Sequence, residues 1–379
     1  ADACERARVL EPSLIDAVRP FLQDLRPLPS IYDPSFIASN QSDRADNVLP
    51  GSKRAQLEHI RRDMRAFREA HALASADAIV LWTANTERYT ALQPGIHDTW
   101  ATLEAAIDAN HPEIAPSTLF ACAALLEDMA FINGSPQNTF VPGVVDLAAL
   151  RDVPIGGDDF KSGQTKMKSV LTDFLVSSGI KPCSIVSYNH LGNNDGKNLA
   201  EEAQFKSKEI SKTCVVDDIV ASNPILYPVA PKGHAPSSAA PDHVIIIEYV
   251  PAVGDSKRAM DEYESEIFMG GRSTISIHNV CEDSLLAAPL MLDLVLLTHF
   301  LARVRIARGP LSGPAPQWER FHPILSLLSF LLKAPLVPGH APVVNALMKQ
   351  RKALEGLLRA CNGLPPCDDL LLDQRLRCL

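Results

Sequence analysis

The sequence predicts an α/β protein with a doubly wound sheet, followed by a smaller α+β unit. Three observations carry this. An amphipathic helix, a short apolar strand and a polar loop succeed one another at 52–88. The same succession returns at 116–139, the rhythm of strands that pair in parallel with helices on both faces. After Asp195 the rhythm changes: β-branched runs at 244–250 and 274–278 flank one predicted helix over 258–268.

The elements follow in order. Val9, Leu10, Leu14, Ile15, Val18, Leu22 and Leu25 recur at helical spacing, predicting one helix over 6–25 that Pro27 and Pro29 end. Ser30-Ile31-Tyr32 reads as a short strand and 36–41 as a polar-ended loop. Leu57, Ile60, Met64 and Phe67 share one face of a helix over 52–69. Residues 78–82 have the length of a buried parallel strand. The loop Thr83-Ala84-Asn85-Thr86-Glu87-Arg88 leaves its carboxyl end, where open α/β sheets bind ligands. Helices are predicted over 99–109 and 116–129, a strand stub at Phe131-Ile132, a polar loop at 133–139 and a short helix at 144–150. An amphipathic helix and the strand Ile185-Val186 come next. Residues 209–222 are mixed, and 228–241 read as a surface loop rich in Pro, Ala, Ser and Gly. Helices then return over 284–304, 324–332 and 343–361, the first two separated by the Gly/Pro-rich 309–316.

At 379 residues the chain can bury a large core and two domains. A net charge of −9 argues against nucleic acid as a partner. A small phosphorylated substrate needs only a local cluster of lysines. The eight cysteines form no CxxC pair and no zinc-ligand set, so reduced thiols in a cytoplasmic protein are expected, with no metal. The apolar runs at 285–301 and 324–332 are interrupted or short against about 30 Å of hydrocarbon. They read as buried helices rather than membrane spans.

Two clusters are too polar for a core. The first runs Gly156-Gly157-Asp158-Asp159-Phe160-Lys161-Ser162-Gly163-Gln164-Thr165-Lys166, the second Ser187-Tyr188-Asn189-His190-Leu191-Gly192-Asn193-Asn194-Asp195-Gly196-Lys197-Asn198. Their composition is that of a pocket lining. Lys161, Lys208, Lys212, Lys257 and Lys333 each sit beside small or polar residues. Lys208 and Lys212 are four apart, so a helix places both ammonium groups on one side, where an anion offsets their repulsion and a solvated face is the alternative. Lys257 is expected on a turn. Lys333 ends an apolar run, where a lysine can also snorkel to solvent. The acidic pairs Asp158-Asp159 and Glu282-Asp283 suit acid–base work, Mg²⁺ or helix capping. No GxGxxG, GxSxG, HExxH or Walker motif occurs. Residue types alone reach an α/β enzyme of phosphosugars or nucleotides.

Longer strings go further. Leu81-Trp82-Thr83-Ala84-Asn85-Thr86-Glu87-Arg88-Tyr89, Asn133-Gly134-Ser135-Pro136-Gln137-Asn138-Thr139, the two clusters, Phe205-Lys206-Ser207-Lys208-Glu209-Ile210-Ser211-Lys212, Gly254-Asp255-Ser256-Lys257, His278-Asn279-Val280-Cys281-Glu282-Asp283-Ser284-Leu285-Leu286 and Lys333-Ala334-Pro335-Leu336 together resemble the myo-inositol-1-phosphate synthase family, animal type. The resemblance runs from about Arg6 to Leu364. It implies a Rossmann-type domain interrupted at 166–286 by an α+β catalytic and tetramerisation domain, with 1–165 and 287–379 forming the NAD-binding part. It also implies a homotetramer that converts glucose 6-phosphate to 1D-myo-inositol 3-phosphate with NAD, which ends the cycle unchanged. By the same resemblance Lys208, Lys212, Lys257 and Lys333 transfer protons, bind phosphate and stabilise oxyanions. Lys208 is expected to take the C5 hydroxyl proton, with Lys257 and Lys333 near the reacting oxygens. Asp159, Asp255 and Asp283 would orient lysines and cofactor. The matching NAD positions are Ser30, Ile31, Gln41, Arg44, Thr83, Ala84, Asn85, Thr86, Gly134, Ser135, Asp159, Ser162, Asn193, Asn194, Asp195, Lys208, Asp255, Asp283 and Ser284. The family's glycine-rich pyrophosphate loop matches positions before Ala1. A catalytically silent form acting as an assembly or regulatory subunit is therefore the alternative expectation, and a plain NAD-dependent dehydrogenase a third.

Overall fold

Helix α1 (Asp2–Ala7) and α2 (Pro12–Gln23) open the chain. They are two helices, not the single one expected, because Arg8 takes a left-handed conformation (φ 54°) and Pro12 supplies a fresh first turn. Residues 30–32 form no strand; Ser30 makes one bridge, to Val48, and a 3-10 turn follows at Ser39–Arg44. Helix α3 (Lys53–Ala70) starts on Ser52, whose side chain accepts from the Ala55 amide. Then come β1 (Ile79–Trp82), α4 (Trp100–Asp108), α5 (Pro116–Leu126), β2 (Ala130–Asn133), α6 (Pro142–Arg151) and β3 (Ile155–Gly156). The three strands pair in parallel in the order β1-β2-β3. The computed structural model describes residues 1–221, 223–228, 240–308, 317–339 and 341–367.

Alternation along β2 shows how this sheet is wrapped. Phe131 enters a cluster with Leu57, Ile60, Leu103, Ile107, Leu119 and Val144 from α3 to α6. Its neighbour Ile132 points the other way, to Leu290, Leu294, Leu325 and Leu328. Helices therefore cover both faces, and the fold is Rossmann-like α/β as expected.

The second sheet is mixed. Helix α7 (Gly163–Ser177), β4 (Lys181–Leu191), α8 (Asn194–Asn198), α9 (Glu202–Ala221), β5 (Asp242–Tyr249), β6 (Ser256–Glu266) and β7 (Arg272–Glu282) build it, in the order β5-β4-β6-β7. Segment β6 corrects the helix expected over 258–268. Ala259, Asp261, Tyr263 and Ser265 are buried at every second position, a strand period that the buried polar Asp261 and Ser265 hide from a hydropathy reading. Strand β4 also extends through Leu191, so half of the second polar cluster stands on a strand. The stretch read as mixed is the long α9. Leu175, Val176, Val216, Ile219 and Tyr263 pack α7 and α9 on one face of this sheet.

Helix α10 (Asp283–Arg303), the hairpin β8 (Arg305–Arg308) and β9 (Gln317–Arg320), a 3-10 turn at Ser326–Leu331 and α11 (Leu347–Cys361) complete the chain. The 324–332 run is not an α-helix: Ile324 bridges to Ile155 and Leu332 to Phe160. Those backbone bonds extend the sheet edge instead. Helix α10 is long and apolar enough to cross a membrane by length and composition, with a mean hydropathy of 2.0. It is also less covered than a buried helix, only 22% of its most apolar window being buried. Leu290, Leu294, Thr298 and Leu301 face the core, whereas Leu292 and Leu296 are about two-thirds exposed. Of the predicted loop at 228–241, residues 229–239 lie outside the described residues, as does the whole of 309–316.

Candidate active site

The site begins where the carboxyl ends of β1, β2 and β3 meet the helical face of the mixed sheet. After β3 the chain pairs with 331–336: Lys161 N–H donates to Leu331 O (2.9 Å) and Lys333 N–H to Asp159 O (2.8 Å). This pairing sets Lys333 beside Asp159, 174 residues away in sequence. Helix α9 crosses from the other side. Lys208 Nζ donates to Asp159 Oδ1 at 3.0 Å, Lys333 Nζ to Oδ2 at 3.1 Å and Ser211 Oγ to Oδ2 at 2.6 Å. Asp159 is buried; burial alone raises a carboxyl, but the two ammonium groups outweigh it and hold its pKa at about 2.

The lysines respond to different neighbours. Burial opposes charge on Lys208, yet Asp159 and Asp195 raise its pKa. Burial lowers Lys333 to about 8 despite Asp159. Lys212, 4% exposed and one turn beyond Lys208, has no hydrogen bond or ion pair among the described residues. Burial first, then Lys257, Lys168, Lys333 and Lys208, push it well below the ordinary lysine range. Lys257 is the second residue of β6 rather than a turn residue, and its Nζ donates to Asp283 Oδ2 at 3.1 Å. Asp283, the first residue of α10, is raised by burial and brought below the usual range chiefly by Lys257. Neither the solvated helix face nor the snorkelling end describes these lysines. Lys161 is buried separately on Asn345 (2.8 Å).

Two cavities share Ala84 and Asn85. One, of about 200 Å³, is lined by Thr83, Ala84, Asn85, Thr86, Gly134, Ser135, Asp159, Ser162, Asp195, Lys208, Asp283 and Lys333. The other, of about 380 Å³, is lined by Ser30, Ile31, Gln41, Arg44, Ala84, Asn85 and Asn194. Amide side chains run between them: Asn85 donates to Gln41 Oε1 (3.1 Å) and accepts from Asn194 Nδ2 (3.3 Å). The strap 83–88 is tied down by Thr86 N–H to Asp195 (3.2 Å), Asn198 to Thr86 O (2.8 Å) and Ser207 to Glu87 O (2.8 Å). Buried Glu87 accepts from the Ser117 amide and hydroxyl at the start of α5, and burial lifts its carboxyl to about 7. Asn193, Asp255 and Ser284 line neither cavity. They form a bonded group beside it, with Asp255 Oδ1 accepting from Asn193 (3.1 Å) and Ser284 (2.9 Å). Asp158 and Asp159 do not act as a pair: Asp158 is raised by burial and bonded to Asn133 (2.7 Å).

These residues fit a dinucleotide. Gly134 at the end of β2 has no room for a Cβ, which would lie 1.9 Å from the Phe160 ring, so backbone forms the cavity wall there. Around it stand amide and hydroxyl groups suited to ribose and amide recognition, with Arg44 as the cation of the second cavity.

Sequence reasoning missed Lys168, His243 and Asp261, which stand among the lysines, and gave Ser187 and Ser211 no role of their own within the strings that contain them. The readable signal was the polar stripe 164, 165, 168, 169 and 172 on the buried side of α7, where an amphipathic helix should be apolar.

The fold and site define a class: an NAD-binding, Rossmann-type α/β enzyme with a lysine-lined cavity for an anion. A family model described as NAD-binding, myo-inositol-1-phosphate synthase, matches residues 1–359. The chain is 58% identical over 376 residues to an inositol-3-phosphate synthase of Dictyostelium discoideum, covering 99% of this chain and 71% of the relative. It is 59% identical over 374 residues to one of Drosophila melanogaster, covering 99% and 64%. A crystal structure of inositol-3-phosphate synthase from Caenorhabditis elegans superposes with a TM-score of 0.92 at 52% identity, covering 100% of this chain and 71% of that one. The chain belongs to the myo-inositol-1-phosphate synthase family. It thus spans about two-thirds to seven-tenths of the length of these relatives.

Proposed function

We propose that this chain carries out the NAD-dependent isomerisation of D-glucose 6-phosphate to 1D-myo-inositol 3-phosphate. The observation that carries the reading is the convergence of Lys208, Lys212, Lys257 and Lys333, with Lys212 buried and lacking an anionic partner among the described residues. A buried ammonium without a counter-ion is costly, and a phosphate dianion removes the cost. The N-terminus of α7 at Ser162 opens on the cavity that Lys208 and Lys333 line and favours negative charge there, while Lys212 and Lys257 stand behind its wall.

The strap 83–86, Gly134, Ser135 and the Gln41–Asn85–Asn194 amides would hold NAD, which when bound would supply hydride acceptance and return at C5. The chain's own residues move protons and hold charge. Lys333, lowered to about 8, has the proton affinity for exchange near neutral pH. It is the group we assign to the C5 hydroxyl. Lys208, which Asp159 keeps charged, serves better as a fixed cation than as the base expected from sequence. Lys257, steadied by Asp283, stabilises the alkoxide that develops at O1 when the ring closes. Lys212 receives the phosphate. Asp255 fixes Ser284 and Asn193 at the cofactor edge.

We also propose a homotetramer in the cytoplasm, with domains dividing near 165 and 286. The open face of the four-stranded sheet supports association, since Tyr188, Val244, Met260 and Val280 are each roughly half exposed on it. The direct test is to incubate the chain with glucose 6-phosphate and NAD and measure inositol phosphate and NADH. Inositol phosphate without accumulated NADH supports the proposal. Neither product points to the silent subunit, and stoichiometric NADH to a dehydrogenase.

A further inference from the structure

Behind Lys212 the interface between α7 and the mixed sheet is polar where a hydrophobic layer is expected. Lys168, 3% exposed, projects from α7 and bonds Ser187 Oγ on β4 at 2.6 Å and His243 Nε2 on β5 at 3.0 Å. No carboxylate is in ion-pair contact with it among the described residues. Asp261 on β6, the main negative charge acting on it, is engaged by Gln164 Nε2 at 2.7 Å. Gln164 Oε1, Ser169 Oγ, Thr172 Oγ1, Asn189 Oδ1 and His243 Nδ1 are buried in the same region without a partner. Such a concentration of unpartnered groups is unusual for a packed helix–sheet interface and calls for a physical reason.

The partners chosen for Lys168 are informative. A carboxylate would pin an ammonium. A serine hydroxyl and an imidazole each donate or accept, so they bind Lys168 as ammonium or as neutral amine. Because His243 Nδ1 has no hydrogen-bond partner among the described residues, moving its proton between ring nitrogens breaks no other hydrogen bond there. The groups facing Lys168 are Ser187, His243, Asp261, Lys257 and, from α9, Lys212. We propose that Lys168 is a positioning residue of the phosphate site: it stands behind Lys212 and takes a proton from solvent when a phosphomonoester binds, so that two uncompensated cations meet a dianion. Burial, which lowers Lys168 to about 8 and, with Lys168 and Lys212, His243 to about 3, is consistent with a free site that sheds charge. The inference rests on the phosphate reading of Lys212.

The test is calorimetric titration of the NAD-loaded chain with glucose 6-phosphate at about pH 8, in two buffers of different ionisation enthalpy. The dependence of the heat on buffer counts protons taken up. The wild type is expected to take up about half a proton or more. Lys168→Met should bind about tenfold more weakly and lose about half a proton of that uptake, the share of Lys212 remaining, with kcat changed less than KM. Lys168→Arg, permanently charged, should keep most of the affinity yet also lose uptake, which a residue needed only for packing would not do. Wild-type binding with the same uptake in both variants would overturn the role of Lys168 and leave the phosphate site standing. Absence of wild-type binding to glucose 6-phosphate would overturn both. Should Lys168→Met fail to fold by circular dichroism, Lys168→Arg decides the question alone.

Discussion

Lys208 and Lys212 stand one helical turn apart on α9, and both are buried, yet their surroundings are opposite. Lys208 shares Asp159 with Lys333 and Ser211, so its charge is matched inside the fold. Lys212 faces Lys168, Lys257, Lys333 and Lys208 and has no carboxylate in contact among the described residues. One side of the cage is neutralised within the fold; the other has no anionic partner among the described residues. The difference teaches that a cluster of lysines contains two kinds of charge. Paired lysines have their charge matched inside the fold, and an unpaired one leaves its charge for a ligand to match.

The comparison breaks most sharply at Asp159. Asp159→Asn leaves Lys208 and Lys333 buried without a counter-ion. A stability loss of about 3–5 kcal/mol is expected, together with a fall in turnover of about a hundredfold or more. Urea unfolding and the inositol phosphate assay check the two together. Gly134→Ala tests the backbone wall of the smaller cavity. Its Cβ must displace the Phe160 ring, which should cost about 1–3 kcal/mol and weaken NAD binding measured by fluorescence titration.

A smaller effect comes from pH. Lys333 and Lys168 are both lowered to about 8 in the fold, so the unfolded chain binds more protons above that value. Stability should therefore rise between about pH 8 and 9.5, by up to roughly 1.4 kcal/mol per pH unit for each group. On the acid side Asp159, lowered to about 2, contributes stability that is lost as pH falls from about 4 toward 2. Unfolding midpoints across pH, with and without sugar phosphate, separate these two arms. Bound phosphate should flatten the alkaline rise and leave the acid fall in place.

Much of this was legible in the chain, and the exceptions have physical causes. The parallel strands showed because Ile79–Trp82 and Ala130–Asn133 are short apolar runs between amphipathic helices. The four lysines of the cage stood out by local composition, but nothing local reveals that Lys333 lies on Asp159. That contact depends on backbone pairing between 157–161 and 331–336. Strand β6 was misread as helix because Asp261 and Ser265 occupy buried positions, so polarity no longer tracked exposure. Lys168 was missed for the same reason: it is a buried charge on a helix whose apolar residues suggested an ordinary core face. Where function places polar groups inside, hydropathy loses its meaning, and the misreadings gather there.

The central claim concerns Lys212, and Lys212→Met tests it most directly through two readings on one variant. Methionine keeps the length of the side chain and removes the unpaired charge. The account predicts that the ligand-free variant resists urea better than wild type, by about 1 kcal/mol or more, while KM for glucose 6-phosphate rises steeply. A variant less stable than wild type with unchanged KM would contradict it, because Lys212 would then be a structural cation rather than a waiting anion site.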